Sequence, residues 1–153
     1  MDIVAGIRPD FHDLTLIKIK DFRDDAAGLR EKIRTKEIPL EILHKALNTW
    51  AALSLGARNA DVLLDPDLRA AIQRPPQRLK LVFFLAQVPI QQSPQQRDTQ
   101  QKQQNRRVQR NDLLKKIQEK LKPLGIQCYL ADLDDLPKRC GWTVTESSSE
   151  ASK

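Results

Sequence analysis

The most constraining feature of the sequence is a short apolar run at residues 79–86, LKLVFFLA, which lies between prolines. Pro75 and Pro76 precede the run, and Pro89 follows it. Proline breaks a helix interior, so the segment between these prolines is too short for a stable helix. β-Branched and aromatic residues favour a strand instead. The run therefore predicts a strand over 79–86 that is buried on both faces.

A second apolar run follows, and an amphipathic segment separates the two. Leu114, Ile117 and Leu121 recur at helical spacing, which predicts a helix over 106–122. The run IQCYLA predicts a strand over 126–131. Strand, helix and strand with so long a connection favour a parallel crossover over a hairpin.

A glutamine-rich stretch joins the first strand to that helix. Residues 92–104 contain no apolar side chain, and glutamine supplies ten of the 23 residues from 87 to 109. A polar segment without periodicity predicts a flexible, basic loop over 88–105.

The N-terminal third predicts one strand and one helix after a leader. Residues 1–10 are expected to be loosely held. Residues 14–20 are rich in β-branched side chains and predict a strand, and Lys18 and Lys20 on one of its faces indicate a sheet edge. Acidic residues at the start and basic ones at the end of 24–36 predict a helix.

Three further elements precede the central strand. Residues 39–56 predict a deeply buried helix that Gly56 ends. Its expected apolar stripe consists of Leu40, Leu43, Leu47, Trp50 and Ser54, widened by Ile42, Ala46 and Leu53. Residues 60–64 predict a short strand, and 66–73 predict a helix that Asp65 caps.

These elements predict an α/β fold. We expect a single three-layer domain over 1–145, with a small mixed or mostly parallel sheet of four to five strands flanked by helices. A Rossmann-like arrangement accommodates this element order. Residues 142–144 predict a further edge strand, and the polar tail 146–153 is expected to be disordered.

Composition limits the setting in which the chain works. Hydrophobic residues make up 40% of the sequence, and no apolar run reaches the roughly 20 residues that span a bilayer. The N-terminus lacks the pattern of a signal peptide. Cys128 and Cys140 are therefore expected to be free thiols in a reducing compartment, which predicts a cytoplasmic protein that does not bind membranes.

Positive charge is concentrated in one part of the chain. Residues 68–122 carry thirteen Lys/Arg and three Asp/Glu, whereas residues 1–67 and 123–153 each have a net charge of −2. Segregation of this kind indicates a partner rather than a fold requirement. The predicted contact residues are Arg74, Arg78, Lys80, Arg97, Lys102, Arg106, Arg107 and Arg110.

Arginine and glutamine together can contact phosphates and base edges, which favours nucleic acid or another polyanion as the ligand. No aromatic residue lies between Phe84 and Tyr129, so this region offers no platform on which bases could stack. Two alternatives remain. The region could dock on an acidic protein partner, or its charge could serve only solubility.

The predicted order is a helix, a strand region with Asp61 and Asp65, a strand with Lys80 and Gln87, a helix and a strand. This order of elements resembles the core of the restriction-endonuclease-like nucleases. That resemblance covers roughly residues 38–133. It implies a divalent metal held by an acid on one strand and an acid-x-lysine on the next. This chain has no acid in 81–86, so the resemblance implies an inactive site.

No other motif predicts chemistry. The acidic turn Asp132, Asp134 and Asp135 lacks the ligand spacing of a calcium loop. Cys128 lies in a predicted buried strand, which indicates packing.

We therefore predict no catalytic residue, metal or cofactor. The expected function is non-enzymatic binding of a polyanion, with protein interaction as the alternative and a degenerate nuclease as the third. The sequence leaves the oligomeric state open.

Overall fold

The computed structural model describes residues 1–6, 13–59, 61–74, 78–90, 96–133 and 135–136, which form four strands and four helices. The strands are β1 (Ile3–Gly6), β2 (Asp13–Asp21), β3 (Arg78–Ala86) and β4 (Gln127–Ala131). The helices are α1 (Ala26–Arg34), α2 (Glu37–Arg58), α3 (Pro66–Gln73) and α4 (Gln96–Leu121). A single 3₁₀ turn, Lys122–Leu124, follows α4, and Gly125 ends it with a left-handed φ of 67°.

The four strands form one mixed sheet in the order β1-β2-β3-β4. β1 runs antiparallel to β2, whereas β3 runs parallel to both β2 and β4. The predicted α/β class and the parallel crossover from β3 to β4 are therefore confirmed. Residues 81–85 of β3 are all buried, as a strand with a partner on each side and cover on each face requires.

The described helices pack on one face of the sheet. Leu16, Leu81 and Phe83 on the strands share one core with Ile42 of α2 and Ile117 of α4. The strand order 2-3-4 moves in one direction, and right-handed crossovers then place every connecting helix on the same face. These helices and the sheet supply two of the three predicted layers. The Rossmann-like alternative requires a reversal of strand order, which the four described strands do not show.

The opposite face of the sheet carries a smaller cluster. Ile17, Val82, Phe84 and Ala131 are buried there, and Leu136 packs against them. The predicted edge strand 142–144 and the tail 146–153 lie outside the described residues, so those two predictions stay open.

β2 is an internal strand rather than the predicted edge strand. Residues 1–10 do not form a loose leader throughout, because β1 pairs with β2 and covers that edge. The two lysines that indicated an edge have partners. Lys18 Nζ lies 3.0 Å from Asp2 Oδ1, and Lys20 Nζ lies 2.9 Å from Glu41 Oε1 on α2.

The predicted strand 60–64 is wrong, because residues 61–64 form a turn. Val62 and Leu63 are each 89% exposed, so these apolar side chains join no core. α2 also continues through Gly56 instead of ending there. A Cβ on Gly56 would lie 2.8 Å from Leu64 Cδ1, so the glycine permits the turn to pack closely against the helix.

Asp65 caps α3 as predicted. Its Oδ1 accepts hydrogen bonds from the N–H groups of Asp67 at 3.0 Å and Leu68 at 3.1 Å. Asp25 caps α1 in the same way by accepting the Gly28 N–H at 2.8 Å. These two caps fix where the helices begin after the turn and after β2.

α2 buries a different stripe from the one predicted. Its buried residues are Ile38, Pro39, Ile42, Ala46, Leu53 and Ala57. The residues expected to lead the core stripe, Leu40 and Leu47, are instead 41% and 42% exposed. The helix is apolar on two opposite faces, and only one face meets the core.

α4 begins at Gln96, ten residues before the predicted start. Residues 96–105 therefore belong to a helix and not to a flexible loop. Glutamine, arginine and lysine are good helix formers, and the helix already folded over 113–121 can extend into them because each added residue costs little.

We expect Phe83→Ala to lower the free energy of unfolding by about 3–5 kcal/mol, because Phe83 is fully buried at the centre of the core. Leu63→Ala should change it by less than about 0.5 kcal/mol, since its side chain is exposed. Urea denaturation of both variants measures the difference. A large loss of unfolding free energy for Leu63→Ala would contradict the exposed turn and favour the predicted strand 60–64.

Candidate functional site

A groove of about 1050 Å³ lies between α1 and the part of α4 from Lys102 to Lys116. Residues 87–90, which follow β3, form its third side. The groove therefore lies at the carboxyl end of the central parallel strand. Open α/β sheets place their ligand sites at that end, because the loops that leave the strands there surround a crevice.

The groove is strongly basic. Its cationic lining residues are Arg30 and Arg34 of α1 with Lys102, Arg106 and Lys116 of α4. Asp112 is the one carboxylate in this described lining. Like charges at such density repel each other in the absence of a ligand, and they favour an anion in the space between them.

Two acids offset part of this charge at the groove margin. Arg34 binds Glu31 with an Nη2–Oε1 distance of 2.6 Å, and this hydrogen-bonded pair lowers the pKa of Glu31. Lys116 Nζ lies 2.7 Å from Asp112 Oδ2. Arg30 and Lys102 make no ion pair with any residue of the described ranges, so their charges remain available to a ligand.

The spacing of α4 places its cations in the groove. Leu113, Ile117 and Leu121 face the core and are fully buried. Positions 102 and 106 continue the same helical face toward the N-terminus, beyond the end of the sheet. The face that is apolar over the sheet thus becomes basic where the sheet ends.

Arg106 and Arg110 are fixed by contacts within the protein. The Arg106 guanidinium donates a hydrogen bond to the Val88 carbonyl oxygen. Burial lowers the pKa of Arg106, and the neighbouring Arg110 lowers it further, whereas Asp132 raises it. Arg110 Nη1 lies 2.9 Å from Asp132 Oδ2, and its side chain is only 14% exposed. Arg110 therefore ties α4 to the end of β4.

The structure separates the eight predicted contact residues. Lys102 and Arg106 line the groove, and Arg110 lies beside it. Arg97 and Arg107 project from other sides of α4, because their positions fall about 180° and 100° from Arg106 around the helix.

The three predicted contacts at or near the start of the central strand lie at the other end of the sheet. Arg74 ends α3, and Arg78 begins β3. Lys80 Nζ is bound to Asp13 Oδ2 at 2.6 Å. From Lys80 to Gln87, at the groove, β3 extends roughly 23 Å. These three cations therefore cannot share a compact ligand with the groove.

Sequence reasoning missed Arg30, Arg34 and Lys116. Arg30 and Arg34 lie in the segment 1–67, whose net charge is negative. The acidic residues of that segment outnumber its basic ones, so its net charge did not indicate a basic site. The available signal was their i,i+4 spacing, which places Arg30 and Arg34 on one side of a predicted helix.

The element order of the nuclease-like alternative is not reproduced. Asp61 lies in a turn where its Oδ1 accepts the Leu63 N–H at 2.9 Å, and it lines a different pocket from Gln87. Asp65 is a helix cap. The pairing of an acid-bearing strand with Lys80 and Gln87 is therefore wrong for this chain.

Other candidate chemistry has structural explanations. Asp132 Oδ1 accepts the Asp135 N–H at 2.8 Å and closes the turn after β4, while Asp134 lies outside the described residues. Within the described ranges, no group of three His, Cys, Asp or Glu side chains could hold a metal ion. No described helix has the length and apolar character needed to cross a membrane.

Comparisons with protein-family models, with curated proteins and with solved structures find no match to this chain.

We expect Asp132→Asn to destabilise the fold by about 1–2 kcal/mol, because it leaves Arg106 and Arg110 near each other without their carboxylate. Asparagine still accepts the Asp135 N–H, so the turn is retained. Asp135→Asn is the matched control, since its side chain is exposed, and it should have little effect. Equal losses in urea denaturation would show that the ion pair contributes nothing.

Burial raises the pKa of the Cys128 thiol to about 12, against an ordinary value of roughly 8.5. The folded protein should therefore resist iodoacetamide at Cys128 at pH 8, because the thiolate is the reactive form. The contribution of Cys128 to stability should be constant below about pH 8.5 and fall above it, since only the unfolded thiol then ionises. Peptide mass mapping with and without urea tests the first point, and rapid labelling without urea would contradict it.

Proposed function

We propose that the protein is a non-enzymatic, cytoplasmic module that binds nucleic acid, or another polyanion of similar charge density, through the basic groove. The observation that supports this most is the excess of five cations over one carboxylate where α1 and α4 meet. Arg30 and Lys102 are the most important of these cations. Neither forms an ion pair within the described ranges, so both charges are available to a ligand.

The length of the groove favours an extended ligand. From Lys102 to Lys116, α4 rises roughly 21 Å. This distance corresponds to about six nucleotide steps of a B-form strand. A small anion would contact only part of such a surface, whereas a chain of phosphates could contact cations along its whole length.

The composition of the groove favours contact with the nucleic-acid backbone. Its described lining includes the amides of Gln87, Asn105 and Gln109 but no aromatic side chain. Phosphate oxygens accept hydrogen bonds from amides and cations, whereas sequence-tolerant stacking needs aromatic faces. We therefore expect weak discrimination between base sequences and a strong dependence on salt concentration.

An acidic protein segment is the second candidate. Val88, which is 46% exposed, and Ile90 also line the groove, and a peptide that combines acids with apolar side chains would use both kinds of surface. Nucleic acid would leave these apolar residues largely unused, so poly-aspartate and an acidic amphipathic peptide are the comparison ligands.

We expect Arg30→Gln with Lys102→Gln to weaken binding of mixed-sequence DNA and RNA about tenfold or more. The slope of log K against log salt should fall in magnitude by about 1.8, because each lost phosphate contact removes roughly 0.9. Fluorescence anisotropy from 50 to 300 mM salt measures both quantities.

The matched control is Arg74→Gln with Arg78→Gln, which removes the same charge from exposed sites at the other end of the sheet. It should reduce affinity much less. Equal losses in the two double variants would show that only net charge matters. Absence of nucleic-acid binding by the intact chain would overturn the proposal, and binding of the acidic peptide in that case would support the second candidate.

A further inference from the structure

α2 carries an apolar stripe that no described residue covers. Leu40, Leu47 and Leu55 are 41%, 42% and 58% exposed, and exposed His44 and Ala51 lie between them. Their spacing of four, three, four and four residues keeps all five on one face of the helix. This face is opposite the stripe that α2 buries in the core.

This arrangement departs from the usual pattern of a surface helix. Such a helix buries one apolar stripe and exposes polar residues on the other side. A helix that is apolar on both sides is typical of one that is covered on both sides. The exposed stripe of α2 therefore indicates an interface. We call this stripe the α2 seam; it consists of Leu40, His44, Leu47, Ala51 and Leu55.

The α2 seam is complementary to a second copy of itself. In an antiparallel pair of α2 helices with the two-fold axis between positions 47 and 48, Leu40 faces Leu55 and His44 faces Ala51 of the other copy. Each leucine at one end thus meets a leucine, and the small alanine meets the larger histidine. A two-fold interface has this property because each contact occurs twice.

The charges at the ends of the seam agree with the same register. Glu37 lies in the first turn of α2 and Arg58 in its last turn, and both are exposed. The axis that pairs Leu40 with Leu55 also places Glu37 of one copy opposite Arg58 of the other. A parallel pair would instead place like charges together at both ends. The helix dipoles also favour the antiparallel arrangement.

We propose that the protein forms a two-fold symmetric homodimer through antiparallel packing of the α2 seam. The inference does not depend on binding in the basic groove, which α1, α4 and residues 87–90 form. α2 is about 33 Å long, and one helix face gives an interface near the small end of the range for specific complexes. The dimer should therefore dissociate in the micromolar range.

The first test is analytical ultracentrifugation of the intact chain from about 1 µM to 1 mM. The mass should rise from that of the 17.5 kDa monomer toward twice this value. Leu47→Glu should stay monomeric, because it places two carboxylates near the two-fold axis. Leu63→Glu is the matched control, since Leu63 is exposed outside the seam, and it should dimerise like the intact chain.

The second test uses the charges to fix the orientation. Glu37→Arg alone should weaken dimerisation about tenfold, and so should Arg58→Glu alone, because each places like charges opposite each other at both ends. The double variant, Glu37→Arg with Arg58→Glu, should restore the affinity. Circular dichroism of each variant checks that α2 remains folded.

Three results would overturn the proposal. A chain that stays monomeric up to 1 mM would mean that another partner covers the α2 seam. A dimer unaffected by Leu47→Glu would place the interface elsewhere. A double variant that remains as weak as the single variants would exclude the antiparallel register.

Discussion

The position of β3 between two parallel partners is the constraint on which the rest of the structure depends. Parallel neighbours require long crossovers, and the strand order requires both crossovers to pass over the same face. The helices therefore collect on that face and bury Phe83 beneath them. The same geometry brings α1 and α4 together at the carboxyl end of β3. The basic groove is thus a consequence of the path that the chain takes around one buried strand.

The elements that the sequence predicts well are those whose signal is local. The prolines around residues 79–86 define β3, and Asp65 marks the start of α3 through a contact only two or three residues away. The wrong predictions concern choices that depend on distant neighbours. The apolar residues at 60–64 are consistent with a strand, but residues 61–64 form a turn beside α2, and Val62 and Leu63 stay exposed. α2 has two apolar faces, and sequence periodicity cannot tell which one meets the sheet.

The candidate site was predictable in part for the same reason. Segment charge identified Lys102 and Arg106, because they lie in the most basic part of the chain. Arg30 and Arg34 come from an element almost seventy residues earlier, and only the packing of α1 beside α4 brings them to the same groove. Segment charge also included Arg74 and Arg78, which are close to the central strand in sequence but lie at its opposite end in space.

The continuity of α4 has a thermodynamic consequence. Residues from Lys102 to Lys116 of this helix line the groove, and Leu113, Ile117 and Leu121 of the same helix are part of the core. A ligand that engages the groove side of α4 binds only the folded chain, because unfolding disperses its contacts. Occupancy of the groove and global stability are then linked functions. At a ligand concentration one hundred times the dissociation constant, the folded state would gain about 2.7 kcal/mol. Melting temperature would therefore report on ligands of unknown identity without any label.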